Sequence, residues 1–111
     1  MLLAAGNSAI EVATEEYFGS RVDLSAMIEK NTGIQIGPKA NPADVPSLIV
    51  INKQTNEAQT WTLGDNVKSI HLNPESAKSI ELRVVNESPL RIEVWVDGTV
   101  QQIDATVDYT N

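Results

Sequence analysis

The sequence has no cysteine. That excludes a disulfide scaffold and any thiolate-ligated metal site, and it leaves the compartment open. Aromatic residues are scarce: Tyr17, Phe18, Trp61, Trp95 and Tyr109 are the full set. The core must therefore come mainly from Ile, Val and Leu, a supply that leans toward strands. Cations are few as well, 8 Lys and Arg against 15 Asp and Glu, for a net charge of −7, and they are scattered singly. A protein that neutralises several phosphates needs clustered cations, so nucleic acid and anionic membrane surfaces are poor partners. No stretch approaches the ~20 apolar residues of a membrane span, which argues against membrane insertion. The opening Met1-Leu2-Leu3-Ala4-Ala5-Gly6 has no basic residue, and its apolar run is shorter than the ~7–15 residues of a signal peptide.

What is present fits one domain of 111 residues, long enough to bury roughly two-thirds of its unfolded surface. Residues 1–46 read as an N-terminal segment of short helices or an extended arm, followed by a proline-rich connector. In residues 7–31, Ile10, Ala13 and Tyr17 are spaced for one helix face, with Ser8 and Glu11 as a capping box. A second helix is expected near 23–30, with Leu24, Met27 and Ile28 on one side and Asn31-Thr32-Gly33 as its stop. The competing reading is an extended arm, because Ile10-Glu11-Val12 and Arg21-Val22-Asp23-Leu24 also alternate. Pro38, Pro42 and Pro46 forbid a helix interior or a central strand and mark the connector.

Residues 47–111 read as strand after strand. Leu48-Ile49-Val50-Ile51 is a continuous apolar run, as in a strand covered on both faces. Trp61 with Leu63, Ile70 with Leu72, and Ile80 with Leu82 and Val84 follow in alternating segments, separated by Asn-, Gly- and Pro-containing turns. This spacing predicts a mainly β fold, an antiparallel β-sandwich or barrel. Asp97-Gly98 between alternating segments predicts a two-residue type I′ hairpin. Its register sets Val96 opposite Thr99, Trp95 opposite Val100, Ile92 opposite Ile103 and Arg91 opposite Asp104. One face then carries Leu90, Ile92, Val94, Val96, Ile103, Ala105 and Val107 as core.

Few residues offer chemistry. His71 is the only histidine and by parity points away from Ile70 and Leu72. A general base needs an orienting partner, for which Glu75 or Glu81 is near in sequence, but no spacing requires either. Zinc and copper normally take two or more His or Cys ligands. Asp65-Asn66, Asp97, Asp104 and Asp108 could supply oxygen for calcium, yet no segment has a dedicated calcium-loop spacing. There is no nucleophile elbow, no phosphate-cradling glycine loop and no H-E-x-x-H. Neither cofactor nor metal is expected, and nothing positive supports an enzyme.

Trp95 stands out. The hairpin register places it on the polar face with Arg91, Glu93, Val100 and Gln102, a flat apolar surface ringed by hydrogen-bonding groups. The plainer alternative is that the N-terminal segment, through Tyr17, Phe18 or Met27, covers that face. Trp61 is read as core. The expected function is a non-enzymatic structural or assembly subunit, of a virion, filament or cell surface, that packs against protein and forms a homo-oligomer. The alternative is a carbohydrate- or peptide-binding β-sandwich module of an extracellular protein. Both place the chain at a surface or outside the cell rather than in the cytoplasm.

Overall fold

A computed structural model of the chain describes residues 9–17, 19–37, 40–64, 66–76 and 79–107. Among the described residues eight strands and one α-helix, with a short 3-10 turn at Pro42–Asp44, follow in the order β1 (Ala9–Glu15), β2 (Val22–Asp23), α1 (Leu24–Thr32), β3 (Ser47–Asn52), β4 (Ala58–Trp61), β5 (Val67–Pro74), β6 (Ser79–Val85), β7 (Arg91–Asp97) and β8 (Val100–Val107). They form a five-stranded sheet, β1-β6-β7-β3-β4, and a three-stranded sheet, β2-β5-β8. The two sheets pack face to face as a sandwich, and no barrel closes.

The alternating residues supply the interior. Ile80 and Leu82 of β6 and Ile92, Val94 and Val96 of β7 are at most 1% exposed, and Ile70 and Leu72 of β5 are fully buried. They belong to one cluster reaching from Val22 to Ile103, with Trp61 and Leu63 packed against it. Strand β3 lies between β7 and β4, but the apolar run Leu48–Ile51 is not covered on both faces as expected. Leu48 and Val50 enter the core, while Ile49 on the outer face is only half-buried. Helix α1 meets β5 of one sheet and β1 of the other. It inserts Leu24, Met27 and Ile28 into the shared core, so it caps that side of the sandwich.

The N-terminal segment divides between its two readings. Residues 9–15 are strand, antiparallel to β6, which corrects the helix expected from Ile10, Ala13 and Tyr17. A helix of two turns is marginal unaided. The β6 edge instead offers a ladder to a segment whose Ile10, Val12 and Thr14 are β-branched and alternate. Ser8 of the expected capping box lies outside the described residues. The second helix forms as expected. Asp23 caps it by accepting the Ala26 N–H at 3.2 Å. Gly33 ends it in the left-handed region, φ 76°, donating its N–H to the Glu29 carbonyl at 3.0 Å.

The expected Asp97-Gly98 hairpin does not form. Strand β7 lies between β6 and β3, and β8 pairs with β5 in the other sheet. Trp95 therefore faces Glu81 and Ile51 rather than Val100, and Asp104 faces His71 rather than Arg91. The face assignment survives for Ile92, Val94, Val96, Ile103 and the half-buried Ala105, which meet in one interior. Leu90 and Val107 are only half-buried, and Val100, expected on the opposite face, packs against the core where the β5–β8 register shifts. Ile92 and Ile103 share that core as members of opposing sheets rather than as cross-strand neighbours. Among the described non-glycine residues only Asn56 has positive φ, so Asp97 cannot occupy a type I′ turn. Residues 97–99 form a corner between sheets. It is pinned by Asn52 Nδ2 donating to the Gly98 carbonyl at 3.0 Å and the Glu75 N–H donating to the Thr99 carbonyl at 2.8 Å. Strand β3 runs parallel to β7, so the larger sheet is mixed rather than purely antiparallel. Pairing with β3 and β6 uses both edges of β7 and leaves none for β8.

Candidate protein-interaction face

Because Ile92, Val94 and Val96 point inward, Arg91, Glu93 and Trp95 lie on the outer face of the five-stranded sheet. Register fixes their neighbours. Trp95 sits between Glu81 and Ile51, and Glu93 between Arg83 and Ile49. The Arg83 guanidinium lies over the Trp95 ring, 4.3 Å from its centroid, well within cation–π range. The indole Nε1 donates to Glu93 Oε1 at 2.9 Å.

Ion pairs continue the array in both directions. Arg83 Nη2 donates to Glu81 Oε2 at 3.1 Å, and Lys53 Nζ bonds Glu81 Oε1. Arg91 Nε lies 3.5 Å from Glu93 Oε2, and its Nη1 donates to Glu87. The hydrogen bond to Glu87 raises the Arg91 pKa most, outweighing the opposing effect of burial, with the charges of Glu87 and Glu93 adding to it. Lys53, Arg83 and Arg91 are each paired with one or more of Glu81, Glu87 and Glu93. This face carries a cross-braced array of paired charges.

Of the residues singled out from sequence, Trp95, Arg91 and Glu93 come together, while Val100 and Gln102 do not join them. Those two lie on β8 in the other sheet. Gln102 Nε2 there donates to Asp104 at 2.8 Å. Val100 lines an open cleft of about 330 Å3 with Val50, Asn52, Ala58, Gln59 and Thr99. Sequence reasoning missed Arg83, Glu81, Glu87 and Lys53. The alternation of Glu81 and Arg83 against Ile80 and Leu82 was visible; that β6 rather than β8 borders β7 was not. Tyr17 and Met27 do not cover Trp95, since both pack on the interior cluster. Phe18 lies outside the described residues.

His71 faces outward and half-buried, as parity required, with its Nε2 2.9 Å from Ser69 Oγ. Its register neighbours are Asp23 and Asp104, not Glu75 or Glu81. Asp23 accepts the helix-capping bond and Asp104 accepts the Gln102 amide. Among the described residues no group of three or more His, Asp or Glu is placed to hold a metal ion. Asp65 and Asp108 of the calcium reading lie outside those residues. Among them, too, no helix is long and apolar enough to cross a membrane. No protein family, curated protein or solved structure matches this chain.

Proposed function

We propose that this chain is a non-enzymatic structural or assembly subunit, of the kind that virions, filaments and cell surfaces are built from, acting through protein–protein packing. The observation that carries this reading is the outer face of the five-stranded sheet. Trp and Arg are the residues that most often dominate protein interfaces. Here Trp95 and Arg83 are stacked and cross-braced before any partner arrives, so little side-chain entropy remains to be lost on docking. A sugar-stacking platform fits less well, because the Arg83 guanidinium already covers one face of the indole.

Light scattering from micromolar to millimolar concentration tests the reading. The wild-type chain should show a defined oligomer or a growing polymer. Trp95→Ala should raise the dissociation constant at least about tenfold, as expected for loss of a hot-spot side chain. Circular dichroism checks that the sheet persists in the variant. A chain that remains monomeric throughout would refute self-assembly.

A further inference from the structure

The described edge strands are β1 and β4 in the larger sheet and β2 and β8 in the smaller. Three carry carboxylates: Glu11 and Glu15 in β1, Asp23 in β2 and Asp104 in β8. In a chain of net charge −7, such charges oppose edge-to-edge contact between copies. Strand β4, Ala58-Gln59-Thr60-Trp61, has no charge and no proline. Its first three residues are exposed, and no described strand pairs with its outer side.

Hydrogen bonding decides which groups that edge presents. The Asn52 N–H donates to the Glu57 carbonyl at 2.9 Å, placing those residues at a hydrogen-bonded position of the β3–β4 ladder. Antiparallel pairs alternate between bonded and non-bonded. With Val50 opposite Gln59 and Leu48 opposite Trp61, it is Gln59 and Trp61 that bond to β3. The N–H and C=O of Ala58 and Thr60 therefore point away from the sheet. The other side of β3 agrees, since the Lys53 N–H donates to Val96 of β7 and Ile51 and Ile49 share its parity.

We infer that β4 is a self-association edge, paired antiparallel with β4 of a second copy about a two-fold axis at Gln59. Ala58 of each copy exchanges main-chain bonds with Thr60 of the other, and the two Gln59 residues stand directly opposite. The occupant is a second copy because the pairing is self-complementary and avoids like charge. In this register Glu57 opposes Trp61 of the second copy, and the two Glu57 residues lie ~14 Å apart along the strands, beyond the ~8 Å screening length. The second copy's Trp61 comes to the mouth of the cleft lined by Glu57, Gln59 and Val100. The inference rests on the assembly reading above and adds an edge contact to the face contact proposed there.

The test is a charge exchange at Gln59, an exposed position whose two copies would sit ~5 Å apart. Gln59→Lys and Gln59→Glu should each raise the dissociation constant of the wild-type chain at least tenfold. An equimolar mixture should restore association to the wild-type level or better, in heterodimers detectable by native mass spectrometry. Amide exchange on the unmodified chain gives a readout that needs no variant. Protection of Ala58 and Thr60 should rise at least tenfold with protein concentration. Association with those two amides exchanging freely, or a mixture no tighter than either variant alone, would overturn the edge pairing while leaving the assembly reading intact. A monomer at every concentration would overturn both.

Discussion

Substituting Ser25 by alanine should cost the fold far more than its small size suggests. Ser25 is 3% exposed, and its Oγ accepts the Ile70 N–H at 2.7 Å. Strand β2 ends at Asp23, opposite His71. The next antiparallel partner of β5 would face Ile70, but Leu24 there has already entered α1. The hydroxyl in the first turn of the helix thus stands in for a missing strand carbonyl. Ser25→Ala leaves the main-chain N–H of a fully buried residue without an acceptor, at about 1–3 kcal/mol. Alanine's better helix propensity returns about 0.3–0.5 kcal/mol, for a net loss of about 0.5–2.7 kcal/mol. Urea unfolding should show a midpoint lower by about 1 M with an unchanged slope, and exchange of the Ile70 amide should accelerate selectively. A loss below about 0.5 kcal/mol, or an Ile70 amide protected as before, would refute the account.

Two glycines should rank in a predictable order. Gly33, φ 76°, has open space where a Cβ would stand, so Gly33→Ala should cost only about 1 kcal/mol of left-handed strain. Gly37, φ 137°, would place a Cβ 3.2 Å from the Lys68 carbonyl oxygen in a conformation L-residues rarely adopt, so Gly37→Ala should cost about 2–3 kcal/mol; thermal melts giving the reverse order would contradict this. The Tyr17 hydroxyl has its pKa raised above 10.0 by burial first and the charge of Glu15 second. Above pH 10 the unfolded chain therefore loses this proton first, and the stability present at lower pH declines as pH rises through the folded value. Tyr17→Phe should blunt the fall in unfolding free energy as pH rises above 10.0, and an equal fall in both proteins would show that Tyr17 is not its source.

Parity, the period-two pattern of side chains, was legible for β6, β7 and the inner face of β8, and it located most of the core. The stop of α1 at Gly33 was equally plain, because Gly33 acts on a carbonyl within four residues of itself, whereas Asp23, read as the start of the helix, proves to be its N-cap. The outer-face site was half legible. Trp95, Glu93 and Arg91 follow from alternation along one strand, whereas Arg83 and Glu81 reach Trp95 only because β6 is its neighbour. For residues 9–15 helical and strand periods were both present, and the unpaired edge of β6 selected strand.

Which residues of β6 and β7 turn inward, where α1 stops, and which chemistries lack the necessary side chains are consequences of local spacing and composition, so the sequence alone determined them. Pairing was decided by the tertiary structure. A sandwich offers each strand two sheets that accept the same inward parity, so alternation cannot distinguish a hairpin partner from a strand across the core. β7 has only two edges, and once β6 and β3 occupy them, β8 must cross to the other sheet. That competition for main-chain hydrogen bonds placed Trp95 beside Arg83 and left β4 at an open edge.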